Sequence, residues 1–232
     1  MTYVMSDIHG CYEQYLSMLD KINFNDNDTL YVLGDVVDYG EKPIEVLRDM
    51  SMRANVIPIV GNHEYFALTT LKELLDEVTE ENVNNLIHIA ENVASWQDVG
   101  GTPTLRGFGA LGKEERIDIF EYLLEFSLYE EVMVSSQKYI LAHAGLPTNA
   151  TLQNLSNFDL YDYVTASTDY TKIYFEDAIL VTGHTPTFNI GEKWRGKVFK
   201  GNNHLAIDTG GVFCGVFACV CLETGEEFYI AE

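Results

Sequence analysis

Polar side chains that bind metals recur in this sequence, each directly after a short apolar segment. In chain order they are Asp7, His9, Asp35, Asp38, Asn62, His63, His143 and His184. Carboxylate and imidazole ligands without thiolates suit Mn, Fe, Zn, Co or Ni more than Ca. Two such ions about 3.5–4 Å apart can clamp a phosphoryl group and activate a water that attacks phosphorus. The pattern therefore predicts a binuclear site in which one carboxylate bridges the two ions.

The first third of the chain must bring several of these residues together. Residues 2–7, 29–34 and 55–60 have the apolar pattern of strands, and residues 11–22 and 43–53 have that of helices. Alternating strands and helices predict a βαβαβ unit with a parallel sheet. In such sheets ligands bind just beyond the carboxyl ends of the strands, where these polar side chains fall.

The rest of the chain predicts further helices and then a second sheet. Residues 64–96 and 113–126 are expected to be helical, and residues 158–175 to be loop or mixed structure. Strands are predicted at 130–134, 138–142, 178–182, 204–208, 212–222 and 226–230. We predict an α/β fold of two packed mixed sheets flanked by helices, the second sheet being the more antiparallel. Residues 1–232 are expected to form one domain, with a helical cap-like segment at about 64–127.

Composition limits the partners of the protein. With 14 Lys and Arg against 36 Asp and Glu, the net charge is -22. Nucleic acids and anionic membranes are attracted by Lys and Arg, so this surface predicts neither as a partner. The chain has no signal-peptide pattern and no apolar run of the roughly 18–20 residues that a membrane span needs. The four cysteines lack zinc-ribbon spacing and are expected to be free thiols, which is typical of a cytoplasmic protein.

The motifs resemble those of a known family. They read SDIHG, GDVVDYG, GNHE, SWQDVGGTPTL, LAHAG, GHTP and IDTGGVFCG. This ordered set is similar to the phosphoprotein phosphatase (serine/threonine phosphatase) branch of the calcineurin-like metallophosphoesterases, in particular its bacterial and phage members. The family fold is a pair of β-sheets flanked by helices, which agrees with the two sheets expected from the pattern.

The resemblance also implies a role for each polar residue. Asp7, His9 and Asp35 would bind the first ion, and Asp35, Asn62, His143 and His184 the second, so that Asp35 is the bridge. His63 would be the general acid that protonates the leaving oxygen. Asp38 would orient His63, much as an Asp orients the His of a catalytic triad. Two divalent ions are therefore expected as cofactors, with Mn favoured in vitro. Glu64 is expected to stabilise a helix N-terminus and to have no catalytic role.

The sequence departs from the family where substrate phosphate is held. The family has an Arg in its second motif, at the position of Tyr39, and a second Arg in a Trp-x-Arg element whose nearest match is Tyr161-Asp162-Tyr163. A guanidinium grips phosphate with two charged hydrogen bonds, whereas a tyrosine hydroxyl gives one neutral bond. Tyr39 and Tyr163 are thus candidate substrate contacts. Arg106 or Lys172 could alternatively reach the site from another direction.

Three functions stay open. The first is a hydrolase of phosphate monoesters that resembles serine/threonine phosphatases, with attack by a hydroxide that bridges the ions. The second is a symmetrical diadenosine-tetraphosphatase type of nucleotide hydrolase, which shares these motifs. The third is a catalytically silent, metal-containing protein that binds phosphorylated partners, although such a protein has no need of the His63–Asp38 pair. The expected partner is a phosphoprotein, a small phosphate ester or a nucleotide.

Overall fold

The computed structural model describes residues 1–75 and 86–231, which fold into two β-sheets with helices on their outer faces. The strands are β1 (Thr2–Met5), β2 (Thr29–Leu33), β3 (Val56–Ile59), β4 (Tyr129–Val134), β5 (Gln137–Ala142), β6 (Ala178–Thr182), β7 (Phe199–Gly201), β8 (His204–Ala206), β9 (Val216–Cys221) and β10 (Glu227–Ala231). The helices are α1 (Tyr12–Lys21), α2 (Pro43–Ser51), α3 (Asn62–Leu75), α4 (Leu86–Asp98), α5 (Thr102–Ala110), α6 (Lys113–Leu124), α7 (Leu160–Thr165), α8 (Thr187–Ile190) and α9 (Gly211–Cys214).

The first sheet contains the predicted βαβαβ unit. Its strand order is β10-β9-β1-β2-β3, with β1, β2 and β3 parallel and β9 and β10 antiparallel. Side chains alternate between the two faces of β1, as a strand requires. Tyr3 and Met5 belong to the core beneath the helices, whereas Val4 belongs to the core between the sheets.

The second sheet has the order β4-β5-β6-β8-β7, in which β5, β6 and β8 are parallel and the two outer strands are antiparallel. Its balance of pairings matches that of the first sheet, so the expectation of a more antiparallel second sheet was wrong. The reason is that the two C-terminal strands return to the first sheet, where β9 lies antiparallel beside β1. Leu33 of the first sheet and Leu141 and Val181 of the second share one core, which makes a two-sheet sandwich.

Several helices differ from the expected pattern. The helical prediction for 64–96 is met by α3 and α4, and its residues 76–85 lie outside the described part of the chain. Helix α5 was not predicted, because Gly107 and Gly109 weaken the helical signal of its sequence. The strand predicted at 212–222 begins only at Val216, because residues 211–214 form the short helix α9. Over residues 1–75 and 86–231, no helix combines the length and the apolar character that crossing a bilayer requires.

Candidate metal centre and active site

The carboxyl ends of strands from both sheets meet around one cavity of about 330 Å³. The predicted residues that line it are Asp7, His9, Asp35, Tyr39, Asn62, His63 and His184. The other lining residues are Pro186, Phe188, Asn189, Asp208, Gly211, Val212 and Phe213. Asp7 follows β1, Asp35 follows β2 and His184 follows β6, so the topology explains the convergence. The strand-end argument from the sequence therefore placed these residues correctly.

Many of these residues adopt a backbone conformation that L side chains rarely take. The φ angles are 52° at Asp7, 46° at His9, 51° at Asp35, 74° at Asp38 and 65° at His184. The left-handed conformation costs a residue other than glycine on the order of 1–2 kcal/mol. Such strain persists only where the surrounding structure enforces it, and it clusters at functional sites. Here it turns each side chain sharply away from the end of its strand.

Asp35 is shared by two groups of side chains whose ligand atoms lie within 4.8 Å of one another. The first group joins Asp35 with His9 and His63, and the second joins it with His143 and His184. The Oδ1 atom of Asp35 lies 3.3 Å from His143 Nε2, while its Oδ2 atom lies 3.8 Å from His9 Nε2 and 3.9 Å from His63 Nε2. The two carboxylate oxygens thus face different imidazoles, as bridging would require.

The hydrogen bonds of the second group suit a cation. The Nδ1 atom of His143 donates to the Leu33 carbonyl at 2.7 Å, so the neutral ring carries its lone pair on Nε2. That Nε2 atom lies 2.9 Å from Asn62 Oδ1 and close to Asp35 Oδ1. His184 Nδ1 lies 2.8 Å from the same amide oxygen. These oxygen and nitrogen atoms therefore lie close together, and a positive ion bound among them would displace the Nε2 proton of His143 and accept their lone pairs.

The pKa values of the buried groups indicate an excess of negative charge around the cavity. Burial alone would lower the pKa of His143, but the Asp35 carboxylate raises it to about 10. Burial raises the pKa of Asp7, and the neighbouring Asp208 raises it further. Carboxylates crowded in this way favour a bound cation, which would compensate their charge. Donor types and electrostatics therefore both fit the divalent ions that the sequence led us to expect.

Asp7 occupies a wall of the cavity and joins the two sheets. Its side chain is buried, and both carboxylate oxygens lie 3.1 Å from the backbone nitrogen of His184, which donates to them. The first group described above contains His63 where the family resemblance has Asp7. Asp7 as an ion ligand therefore stays a prediction, and its observed contact is with the turn that carries His184.

His63 and Asp38 form a buried pair at the edge of this centre. His63 Nδ1 donates to Asp38 Oδ2 at 2.7 Å, which leaves Nε2 facing the cavity. Asp38 also accepts a 2.7 Å bond from Trp96 Nε1 and a 2.6 Å bond from Thr104 Oγ1. Burial alone would lower the pKa of His63, but Asp35 and Asp38 raise it above its ordinary value. The imidazole is thus fixed in direction and favoured in its protonated form.

Two of these contacts, Trp96 and Thr104, were missed from the sequence. Trp96 lies near the end of α4 and Thr104 near the start of α5, both within the predicted helical cap-like segment. The segment SWQDVGGTPTL, which includes both residues, was part of the family resemblance, and this was the available signal. The helical segment therefore supports the His63–Asp38 pair through two hydrogen bonds to Asp38.

Glu64 holds the turn that carries Asp35. Its fully buried carboxylate accepts backbone N–H bonds from Asp35 and Gly61 on Oε2 and from Val36 and Val37 on Oε1, at 2.8–3.1 Å. Four bonds to one carboxylate fix the turn after β2 against the start of α3. Glu64 therefore positions the centre through the backbone, a role that the sequence did not reveal.

The candidate substrate contacts lie in different places. Tyr39 lines the cavity, with its ring centroid 4.9 Å from that of His9 and 5.3 Å from that of His63. Tyr163 is fully buried in the core beneath the second sheet and donates its hydroxyl to the Leu155 carbonyl. Arg106 is exposed and paired with Glu41 at 2.6 Å.

Lys172, the other alternative, donates to the Thr148 carbonyl and lies over the Tyr174 ring. Of these four candidates, only Tyr39 lies at the cavity.

Asp208 lines the cavity and was also missed. It lies two residues after the end of β8 and accepts the Gly210 N–H at 2.8 Å, and burial raises its pKa to about 7. The strand-end rule that found Asp7 and Asp35 applies equally to Asp208, since strand LAID ends there. Its side chain adds a further carboxylate to the floor of the cavity.

Comparison with known proteins places the chain in a family. The sequence profile of the calcineurin-like phosphoesterases matches residues 2–212. The chain therefore belongs to this family, which confirms the resemblance of its motifs.

Two curated relatives show what the chain resembles within the family. Serine/threonine-protein phosphatase 2 of Salmonella typhimurium is 32% identical over 165 residues, which cover 69% of this chain and 61% of that protein. The symmetrical bis(5'-nucleosyl)-tetraphosphatase of Wigglesworthia glossinidia brevipalpis is 39% identical over 82 residues, or 34% of this chain and 30% of that protein. The chain thus matches less than two thirds of the length of either relative.

Solved structures agree on the fold. A protein serine/threonine phosphatase from Saccharomyces cerevisiae superposes with a TM-score of 0.61 at 15% identity, covering all of this chain and 79% of that one. A metallophosphoesterase from Sphaerobacter thermophilus gives a TM-score of 0.55 at 14% identity, covering 99% of this chain and 86% of that one. At this identity the likeness concerns the fold alone, and it confirms two mixed sheets flanked by helices.

Proposed function

We propose that the protein hydrolyses phosphate monoesters with two divalent metal ions. Asp7, His9 and Asp35 would hold the first ion, and Asp35, Asn62, His143 and His184 the second. His63 would be the general acid and Asp38 the residue that orients it. The observation that carries the proposal is the position of His63. Its Nδ1 is fixed by Asp38 at 2.7 Å, and its Nε2 faces the cavity 3.9 Å from the carboxylate shared by both ligand groups.

The residues of the chain have separate tasks in this reaction. When bound, divalent ions polarise the phosphoryl oxygens and lower the pKa of a coordinated water. Asp35 and the surrounding imidazoles would hold these ions beside His63, and the positive charge of the ions would attract the phosphate. His63 Nε2 donates its proton to the ester oxygen as the P–O bond breaks, and Asp38 stabilises the imidazolium before transfer. Trp96 and Thr104 keep Asp38 in the orientation that directs Nδ1, rather than Nε2, toward the carboxylate.

The substrate class is proposed more broadly. The name of the Salmonella relative supports a phosphoprotein, and that of the Wigglesworthia relative supports a nucleotide. A phosphate monoester is the reading that the general acid favours, because a poor leaving oxygen needs a proton. A silent phospho-binding protein would gain nothing from a buried, doubly supported His63–Asp38 pair.

Other properties are proposed with this function. Mn²⁺ is the ion proposed for activity in vitro, since the ligands are carboxylate, imidazole and amide oxygen. None of the four cysteines, Cys11, Cys214, Cys219 and Cys221, forms a disulfide within the described structure, which supports a reducing, cytoplasmic location. The net charge of -22 supports the absence of nucleic acid and anionic membrane among the partners.

The experiment loads the protein with Mn²⁺, and separately with Fe²⁺, Zn²⁺, Co²⁺ and Ni²⁺. Turnover is compared on p-nitrophenyl phosphate, bis(p-nitrophenyl) phosphate and diadenosine tetraphosphate, before and after chelation. We expect the monoester to be hydrolysed fastest, and chelation to abolish turnover. His63→Asn tests the acid, and His88→Asn, an exposed histidine on α4, is the matched control. No turnover with any ion would overturn the enzyme assignment, and preference for diadenosine tetraphosphate would favour the nucleotide hydrolase.

A further inference from the structure

Two aromatic rings form an exposed wall on the cavity beside His63. Tyr39 is 38% exposed and Phe213 is 59% exposed, and both line the cavity. Their ring centroids are 5.6 Å apart with an angle of 71° between the planes, an edge-to-face contact. We call this pair the aromatic wall. Apolar side chains that cluster at the mouth of a cavity are typical of sites that contact a ligand.

The backbone holds both rings in place. Tyr39 has a φ of 57°, and its N–H donates to the Gly100 carbonyl at 2.9 Å. A Cβ atom at Gly100 would lie 2.8 Å from the Tyr39 ring, so the ring packs directly on the glycine backbone. Phe213 lies in α9, between Gly210 and Gly215, which have φ angles of 82° and 72°. The aromatic wall is therefore pre-organised, and ordering it would add little to the cost of binding.

In the described part of the chain, no lysine or arginine lines the cavity where the organic part of a substrate would lie. Among the described residues that line it, the charged groups are Asp7, Asp35 and Asp208, together with the histidines. Arg106, a candidate from the sequence, is exposed outside the cavity lining and paired with Glu41. Beyond the atoms of the phosphate itself, the substrate thus meets aromatic rings instead of guanidinium groups. Recognition at this wall must depend on apolar and ring–ring contact.

Distance decides which part of a substrate the wall would touch. His63 protonates the leaving oxygen, and the Tyr39 ring centroid is only 5.3 Å from that of His63. The group bonded directly to the leaving oxygen therefore falls beside Tyr39. Aromatic pairs are favourable at centroid separations of 4.5–7 Å, so a ring on the leaving oxygen would be within range of Tyr39. A nucleotide would place ribose there, and a phosphoseryl side chain would place a single methylene.

We propose that the aromatic wall selects aryl phosphate monoesters, in which the phosphate is bonded directly to a phenolic oxygen. The inference rests on the proposed function and names its substrate class. The P–O bond to the ring oxygen breaks, its electron pair stays on that oxygen, and His63 supplies the proton. Water adds its oxygen to phosphorus and releases one proton, which restores His63, so that a phenol and inorganic phosphate leave.

The test compares phenyl phosphate with cyclohexyl phosphate, which has a similar shape but no aromatic ring. The measured quantity is the ratio of the two kcat/KM values, and the effect of a variant is its change in that ratio. Differences in leaving-group reactivity are common to all variants and cancel. Tyr39→Leu keeps an apolar side chain but removes the ring. Tyr161→Leu is the matched control, because Tyr161 is also an exposed tyrosine and lies on α7.

We expect Tyr39→Leu to lower the aryl-to-cyclohexyl ratio roughly three- to tenfold, the range measured for aromatic pairs. Phe213→Leu should lower it about two- to threefold, because Phe213 lies farther from His63. The ratio should be unchanged in Tyr161→Leu. Equal losses on both esters in Tyr39→Leu, or no loss on either, would overturn the proposal. So would an equal loss on adenosine 5'-monophosphate, whose ring is separated from phosphate by a sugar.

Two further experiments show whether the aromatic ring belongs to a protein or to a small molecule, and whether the aromatic wall or the proposed function fails. A phosphotyrosyl peptide hydrolysed at least as well as phenyl phosphate assigns a protein source, and the reverse order assigns small aryl esters. Both keep the aryl class, whereas preference for the phosphoseryl peptide of the same sequence would overturn it. Calorimetric binding of phenylphosphonate and cyclohexylphosphonate to the Mn²⁺-loaded protein measures the selectivity for an aromatic ring without requiring turnover. Selective binding without turnover would sustain the aromatic wall and reject the proposed function, and unselective binding would reject the wall.

Discussion

The floor and the rim of the cavity are built in opposite ways. The floor carries buried carboxylates and imidazoles that are held by hydrogen bonds, some to the backbone near strand ends and some to other side chains. Asp35 illustrates this, since its turn is fastened by Glu64 and its oxygens face two sets of imidazoles. The rim carries Tyr39 and Phe213, which are exposed and contact each other. In the proposed function, the floor provides for the reaction and the rim selects the ester.

This difference explains where the chain follows its family and where it departs. A floor residue is tied to several partners, so a change there leaves buried polar groups unpaired, which costs about 1–3 kcal/mol each. The Tyr39 side chain makes ring contacts at an exposed position and not buried hydrogen bonds, so a different side chain at position 39 leaves no buried polar group unpaired. Substitutions in the floor should therefore reduce kcat, and substitutions in the rim should change KM or the choice of substrate.

The largest effect is expected from Asp35→Asn. Replacing the shared carboxylate removes one charge from both ligand groups, so turnover of p-nitrophenyl phosphate should fall on the order of a thousandfold or more. Steady-state kinetics at saturating Mn²⁺ measure it, and Asp26→Asn, at an exposed loop position, is the control. Retention of a tenth of wild-type activity would show that the floor is not organised around Asp35.

His63→Asn should cost between about a hundredfold and ten-thousandfold in kcat on an alkyl monoester, the usual contribution of a general acid. The pH profile gives a second readout. Burial acts to lower the pKa of His63, but Asp35 and Asp38 raise it overall, so the protonated acid persists as pH rises past 6.5. Activity should decline on the alkaline side as His63 loses its proton. A variant that keeps this alkaline limb would show that another group titrates.

Trp96→Phe should have a moderate effect, because Trp96 supports the His63–Asp38 pair. The substitution keeps an aromatic ring in a fully buried position but removes the N–H bond to Asp38. We expect kcat to fall about three- to tenfold with KM nearly unchanged, because Asp38 loses one of the two side-chain donors that orient it and keeps the Thr104 bond. Trp194→Phe, at a half-buried tryptophan outside the cavity, is the control. A change confined to KM would assign Trp96 to the rim instead of the floor.

Tyr39→Arg addresses the rim, and its effect is expected to be no larger than that of Trp96→Phe. Restoring a guanidinium beside the phosphate should lower KM for an alkyl monoester about three- to tenfold, because charged hydrogen bonds are stronger than neutral ones. The preference for aryl over cyclohexyl esters should shrink at the same time. Initial rates over a range of ester concentrations give both values. An unchanged or raised KM would mean that position 39 does not face the phosphate.

Much of the floor could be predicted because its logic is local. A polar residue that ends an apolar strand must lie at the edge of a parallel sheet, and this rule correctly brought Asp7, Asp35 and His184 to one cavity. Asp208 obeys the same rule, because it ends the segment LAID and lines the cavity. The fold class followed from the strand and helix periodicity in the same way.

The remaining features depend on contacts between segments distant in the chain. Trp96 and Thr104 reach Asp38 across 58 and 66 residues, and no periodic pattern encodes such bonds. The return of β9 to pair with β1 likewise depends on the packing of the whole first sheet. The buried position of Tyr163 could not be predicted from its aromatic-rich segment. A tyrosine suits both a stacked position in the core, as observed against Tyr129, and a position that lines a cavity.

The central claim is that one carboxylate, Asp35, serves two ion sites beside His63. Equilibrium dialysis against Mn²⁺, with the bound metal counted by atomic emission, tests it most directly. The wild-type protein should bind two ions per chain at saturation, and Asp35→Asn should bind at most one with weakened affinity. A wild-type stoichiometry of one or none, or two ions still bound tightly by Asp35→Asn, would contradict the claim.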